Sequence, residues 1–575
     1  MAGKDKGNTK LTRRAILGSA AIGLAGGPAV AGTYVSLGTI EDAWDVTADI
    51  VVVGAGAAGC SAAIIAHELG KQVLVLEKGP VVGGTTAKSV GGVWVPANAA
   101  MEEAGISDAR EDCLRYMVRL SVPDRFDPSA EYFGTTPQAH LLLEAYYDNA
   151  RRVTETLEDL GALKLIGQKF NGAFMPDYFA HLPENKAPAG RCLYVGDDAG
   201  NLANGAEMMR RFAAAMADRG IEIRKRTSAS QLVLDSEGAV IGLVATGRDD
   251  APVRIRARNG VILASGGFTH DVELRRKFLK GPVFGGCAVP TNQGDGVRIA
   301  AGAGAQLGNM QNAWWAQLPL EQALENASVP TGIWCTPGDS MIQVNGRGSR
   351  FMNEKFVYNE RTQAHFEWDP VTARYPNLLS FMIYDQRSAE QYAGFAPIPP
   401  KGATASHVIE AGSIGGLANE IAKRLETISE RIGGFALEPD FVANLEASIT
   451  RFNSLAETGQ DADFGRGDQP IDQFFHFFGP GVPQNPLPNP TMHPIASSGP
   501  YYAIILAAGT LDTNGGAVTD EKARVLDGNG QAIDGLYAAG NCSAGCAGPA
   551  YWGGGATLGP AMTFGAIAAE TAAAG

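Results

Sequence analysis

Residues 49–79 read DIVVVGAGAAGCSAAIIAHELGKQVLVLEKG, and the order of residue types in them decides the fold. A β-branched run, Ile50 to Val53, leads into a glycine turn and an alanine-rich helical stretch. Gly70 stops that helix, and a second apolar run ends at Glu77. Strand, helix and strand in this order make a βαβ unit. Each glycine has a separate task. Gly54 permits the tight turn, Gly56 lets the backbone approach a pyrophosphate, and Gly59 lets helix and strand pack closely. Ala57 and Ala58 open the helix, so its positive end faces the phosphates. Glu77 closes the second strand, where a carboxylate can accept hydrogen bonds from a ribose, and Lys78 follows it. The unit predicts dinucleotide binding.

Working outward, GPVVGGTTAKSVGGVWVPAN (residues 79–98) is a second segment rich in glycine and hydroxyl groups. Gly84, Thr85, Thr86, Ser89, Gly91 and Gly92 are placed to wrap the flavin end of a cofactor longer than NAD. Two later stretches, VILASGGF with Ser265 and Gly266 and GLYAAGN with Gly540 and Asn541, each read as a strand running into a glycine turn. Thr557 and Leu558 open a last apolar stretch beside them. Such late returns to the nucleotide are expected when an insertion splits the binding domain, and together they predict FAD. The predicted fold is α/β, a Rossmann-like FAD-binding domain with a parallel sheet, split by an inserted α+β capping domain. The expected boundaries are 47–280 and 501–575 for the two parts of the FAD domain, with the cap at 281–500.

Composition agrees with a large globular enzyme. The 575 residues are 45% hydrophobic and 19% charged, and the 73 glycines have no three-residue period, which points to many tight turns and close approaches. A net charge of −14 opposes binding to a phosphate backbone, so no nucleic-acid role is expected. The seven cysteines lack metal, haem or cluster spacing, so FAD is the expected redox centre and no metal site is predicted. Residues 1–46 read as an address and linker. Arg13 and Arg14 precede a short Gly/Ala-rich stretch ending at Ala31, the pattern of a twin-arginine export signal. That stretch is too short for an integral membrane span, and the expected location is the periplasm or cell envelope, or the cytoplasm if the signal is silent.

The order VVVGAGAAG, LEKG, GGTTAKSVGGV, ASGGF, GDGVRIAAGAGA, RFMNE and GLYAAGN resembles the fumarate reductase/succinate dehydrogenase flavoprotein superfamily over nearly the whole chain after residue 47. In members with covalent flavin a His precedes the TxAxxGG-like run. Thr85 holds that place, so the resemblance implies non-covalent FAD. In soluble fumarate reductases an arginine proton donor stands four places after the Glu of the RFxNE motif, and another arginine near the C-terminus holds the substrate carboxylate. Here those places belong to Tyr358 and Tyr551. A dicarboxylate needs buried cations, whereas a phenol suits a ketone, as hydrogen-bond donor or, once deprotonated, as base.

This pattern of tyrosines is similar to that of the 3-ketosteroid Δ1-dehydrogenases, which share FGRGD, AVTDEKARVL and ATLGPAMTFG with residues 464–468, 517–526 and 556–565. The resemblance implies that Tyr551 and the backbone N–H of Gly555 hold a 3-keto oxygen and that Tyr358 takes the carbon-2 proton. It implies that Tyr116 is hydrogen-bonded to Tyr358 and that flavin N5 takes the carbon-1 hydride. The partners it implies are an apolar 3-ketosteroid and an external electron acceptor such as a quinone. Trp314, Trp315, Trp334 and the run FFHFF at 474–478 suit the wall of a flat apolar slot, or equally the core of the cap. An exported reductase of an enoate or Δ4-3-ketosteroid, a Δ4-dehydrogenase and a non-catalytic flavoprotein remain as alternative readings.

Overall fold

The computed structural model describes residues 44–478 and 485–575. The expected export signal lies outside the described residues. The βαβ unit forms as read, with β1 at Val46–Val53, α1 at Ala57–Glu68 and β2 at Val73–Glu77. These strands belong to an eight-stranded sheet. In it β1 pairs in parallel with β2 and with Pro252–Leu263, β2 with Glu222–Lys225, and Pro252–Leu263 with Ala532–Ala538. Three further strands pair antiparallel: Arg524–Leu526 against Ala532–Ala538, Val240–Thr246 against Pro252–Leu263, and Ser228–Leu234 against Val240–Thr246.

The register aligns the carboxyl ends. Val53 lies opposite Leu76 and Leu263, and Leu263 opposite Ala538. The turns that follow all four strands therefore open on one side, which is where ligands bind in open parallel sheets. Helix α1 is buried from Ala57 to Ala66 because its small residues admit a close neighbour, the C-terminal helix Leu558–Ala574. A methyl group on Gly565 of that helix would stand 2.3 Å from the Ala58 carbonyl, and the Ser61 hydroxyl donates to the Met562 carbonyl at 2.8 Å. The ATLGPAMTFG stretch is thus a packing motif as much as a ligand motif.

A second sheet of five strands is antiparallel throughout. Tyr501–Thr513 lies at its centre, paired with Ala313–Pro319, Leu379–Asp385 and Val408–Ala411, and Met341–Val344 adds to the far edge of Leu379–Asp385. The central strand begins just past residue 500, on the C-terminal side of the boundary read from the sequence, yet all its pairing is with residues before that boundary. Apolar residues run along it without alternation because both faces are buried, so its pattern does not reveal which sheet it joins. Its far end reaches the nucleotide side, where Asp512 and Thr513 accept the N–H groups of Gly267 and Phe268 at 3.0 and 2.8 Å. Among the described residues no helix is long and apolar enough to cross a membrane.

Candidate active site

One continuous cleft collects the turns at the strand ends. Its lining runs from the glycine turn at Gly54 to the aromatic side chains of Trp334 and Phe478. Of the predicted cofactor residues, all but Gly59 line it: Gly54, Gly56, Ala57, Ala58, Glu77, Lys78, Gly84, Thr85, Thr86, Ser89, Gly91, Gly92, Ser265, Gly266, Gly540, Asn541, Thr557 and Leu558. Gly59 acts from behind. A side chain there would meet the Gly54 carbonyl at 1.9 Å, so its role is the close packing of helix on turn.

Glu77 is only 8% exposed, and its two carboxylate oxygens accept the N–H groups of Ala55 at 3.0 Å and Gly79 at 2.6 Å. It ties the glycine turn to the end of β2. The Thr86 hydroxyl accepts the Ala57 N–H at 3.2 Å; the N-cap residue Gly56 brings no side chain and the first turn no acidic residue, which leaves the rest of the helix's positive end to an anion. Lys78 pairs with Asp295 at 2.7 Å. Thr85 accepts hydrogen bonds from the N–H of Val289 at 3.2 Å and the amide of Asn292 at 3.3 Å.

At the other end of the cleft three buried phenols meet. The Tyr358 hydroxyl donates to that of Tyr551 at 3.0 Å, and Tyr178 lies 2.7 Å from Tyr358. Since Tyr358 spends its only proton on Tyr551, Tyr178 is the donor to Tyr358, and the proton of Tyr551 is left for a ligand. Burial pushes Tyr358 and Tyr178 well above the ordinary phenol range; for Tyr358 the neighbouring Tyr551 adds to this and the hydrogen bond from Tyr178 opposes it. Tyr551 is raised by burial as well, and hydrogen bonds from Tyr358 and Thr557 hold it back. No arginine lines the cleft among the described residues.

Gly555, four residues after Tyr551, lines the same cleft with φ +89°, and a Cβ there would lie 2.4 Å from the Val93 nitrogen, so only glycine fits. Among the described residues its N–H has no protein acceptor. Trp314, Trp334, Phe475 and Phe478 line the cleft, with Trp334 edge-on to Phe478 at 4.8 Å. Trp315 instead packs on Phe366 in the core beneath.

Tyr116 is not where the resemblance put it. It is fully buried, and its hydroxyl donates to the Trp552 carbonyl at 2.7 Å. The same carbonyl takes the Tyr178 N–H at 3.1 Å. Tyr116 therefore lies one layer behind, supporting the segment that carries Tyr178, and Tyr178 occupies the place expected of it. The phenol of Tyr178 is delivered by an irregular stretch, MPDYF, clamped by the fully buried Arg191. This guanidinium pairs with Asp177 and, at 2.6 Å, with Asp108. Asp177 also accepts the Trp94 indole N–H at 2.8 Å. Reading the sequence missed Asp512 too. Its carboxylate accepts from Gly267 N–H, Thr269 hydroxyl, and the amides of Asn292 and Asn541 at 2.6–3.0 Å, and Asn541 in turn accepts the Trp314 indole N–H at 3.0 Å.

Residues 49–558 match the family described as "FAD binding domain". The chain is 31% identical to 4-oxocyclohexanecarboxylate 2-dehydrogenase of Sinomonas cyclohexanicum, over 92% of this chain and 93% of that protein. It is also 31% identical to 3-oxosteroid 1-dehydrogenase of Mycobacterium tuberculosis, over 91% and 97%. Among solved structures, 3-ketosteroid Δ1-dehydrogenase from Sterolibacterium denitrificans superposes with a TM-score of 0.75 at 28% identity, covering 92% of this chain and 99% of that one. The chain belongs to the FAD-binding flavoprotein family that contains the 3-oxosteroid 1-dehydrogenases.

As a member of this family the chain is an FAD-dependent oxidoreductase, and its cleft fits that cofactor. The start of α1 and the glycine turn suit the pyrophosphate, and the run from Thr85 to Gly92 lines the same cleft as Gly555 and the phenols. Thr85 supplies no ring nitrogen to which a flavin could be bonded. The fold is that of the FAD-binding flavoenzymes, mixed α/β with parallel and antiparallel sheets.

Proposed function

We propose that the protein dehydrogenates a 3-ketosteroid at the bond beside the ketone, with Tyr551 and Gly555 gripping the keto oxygen and Tyr358 removing the carbon-2 proton. The observation that carries this reading is the direction of the hydrogen bonds at the phenols. Tyr551 accepts from Tyr358, so its proton is available to a carbonyl, and the N–H of Gly555, which lines the same cleft, has no acceptor among the described residues. Two donors aimed where negative charge develops would constitute an oxyanion hole. A ketone so held has a more acidic neighbouring carbon, and Tyr358 is the phenol next to the donor pair.

Tyr358 must lose its proton before it can act as base, and burial makes that costly. Tyr178 offsets part of the cost by donating to the oxygen that would become negative. When bound, FAD supplies the acceptor for the hydrogen that leaves the adjacent carbon as hydride, and an external acceptor such as a quinone reoxidises it. Trp314, Trp334, Phe475 and Phe478 give the cleft an apolar wall suited to a flat ring system and exclude water around the phenols. That no arginine lines the cleft among the described residues disfavours a dicarboxylate.

The test is anaerobic addition of a Δ4-3-ketosteroid to the yellow protein while flavin absorbance is followed. Bleaching together with a 1,4-diene product is the expected result. Bleaching with a different product would move the reaction to another bond, and an unchanged spectrum would leave a flavoprotein of some other activity.

A further inference from the structure

The proposed reaction uses the phenols, Gly555 and the aromatic wall, but leaves one charged side chain in the cleft without a task. Among the described lining residues the basic ones are Lys78 and Lys88. Lys78 is neutralised by Asp295. Lys88 has no carboxylate partner among the described residues, and its ammonium donates to the Val329 carbonyl at 3.0 Å. An ammonium has three N–H groups, so two remain. The side chain is exposed in the cleft rather than packed into its wall.

Its direction separates it from the pyrophosphate. Gly84–Lys88 is a 3₁₀ helix, in which residues two apart point about 120° away from one another. Thr86 faces the start of α1 through the Ala57 N–H, and Lys88 reaches instead across the cleft to Val329. The stretch that follows Val329 carries Pro330, Thr331 and Trp334, all lining the cleft, and the backbone carbonyls of Ile333 and Trp334 are held by the buried Arg361 at 2.9 and 3.2 Å. The ammonium therefore meets a braced wall that continues to the aromatic end of the cleft.

We infer that Lys88 determines specificity by receiving a carboxylate on the substrate, so that the preferred substrates are ring ketones bearing an acid group away from the reacting carbons. This rests on the ring-ketone reading above and narrows it. A neutral ketone would be handled by the same phenols but would leave the ammonium with its single carbonyl partner.

The experiment compares a 3-oxo-4-ene steroid whose side chain ends in a carboxylate with its methyl ester, using the FAD-loaded protein. The wild type should show kcat/KM about tenfold or more higher for the acid, the scale of one charge-assisted hydrogen bond. In Lys88→Met the acid-to-ester ratio should fall about tenfold with flavin content retained, and in Lys88→Glu the preference should invert. A ratio indifferent to residue 88 while both compounds turn over would overturn the role of Lys88 alone. Loss of flavin in Lys88→Met, with both compounds falling together, would assign the lysine to the cofactor instead. If neither compound bleaches the wild-type flavin, the ring-ketone reading falls and takes this inference with it.

Discussion

A phenol buried among phenols can act as donor or as base, and at this site the hydrogen-bond directions divide the two roles between neighbours. Tyr551 keeps its proton for a ligand, and its ring packs on Trp314 at 4.8 Å and Tyr178 at 5.1 Å. Tyr551→Phe keeps that packing and deletes the donor, so flavin content should match the wild type while kcat falls roughly 10²- to 10³-fold, as for removal of one oxyanion-hole donor. Steady-state rates and the ratio of flavin to protein absorbance read the two effects separately. Tyr358 is held well above the phenol range, first by burial. Below that raised pKa its reactive, deprotonated fraction grows with pH, so kcat/KM should climb about tenfold per unit from about pH 7 into the alkaline range. Tyr178→Phe withdraws the donor that counteracts the rise. The climbing limb should then move to higher pH and the rate at about pH 8 should drop. Flat profiles in both proteins would exclude Tyr358 as the titrating base.

At the level of elements, the site depends on clamps that join distant segments. Arg191 is 0% exposed and holds Asp177, inside the stretch that delivers Tyr178, to the distant Asp108. Arg191→Met leaves two buried carboxylates without their cation, and loss of one partner of a buried pair costs about 3–5 kcal/mol. Urea unfolding should show that loss, and turnover should fall further than the stability change requires, because Tyr178 loses its anchor. A second clamp joins RFMNE to FGRGD. Arg466 reaches Glu354 at 3.4 Å, and Arg350 pairs with Glu354 at 2.9 Å and with Asp461, just before FGRGD, at 2.8 Å, fixing the approach to the helix Tyr358–Gln363. These dependencies explain what could be read in advance. The βαβ unit is local, with each signal within a few residues of the next, so β1, α1 and β2 were legible, and Tyr358 and Tyr551 were marked by the motifs around them. Tyr178 was not, because its position is set by Arg191 and by the Trp552 carbonyl, hundreds of residues away in one case. Tyr116 was misread for the same reason: a helix named the residue but not the layer it would occupy. Asp512 lay hidden at the end of a strand buried on both faces.

On the scale of the whole molecule, the cleft is assembled from segments as far apart as Val53 and Ala561, so cofactor binding and global stability are linked. A ligand that binds only the folded state stabilises it by RT ln(1 + [L]/Kd), about 4.1 kcal/mol at a thousandfold excess over Kd. With an unfolding entropy of about 2.1 cal/mol/K per residue, a chain of this length should gain about 3 °C in Tm on FAD saturation. Two glycines of the same turn separate binding from packing. A Cβ on Gly56 would meet only the Thr86 hydroxyl, at 3.6 Å, so Gly56→Asp is sterically tolerated, and its carboxylate would repel the pyrophosphate at the start of α1. Gly59→Ala would drive its methyl into the Gly54 carbonyl, 1.9 Å away. Thermal melts with and without added FAD should therefore give Gly56→Asp a flavin-free Tm close to wild type and no FAD-dependent shift. Gly59→Ala should melt lower in both conditions. An FAD shift that survives in Gly56→Asp would mean that the pyrophosphate does not lie on the glycine turn, and the placement of the cofactor along this cleft would have to be redrawn.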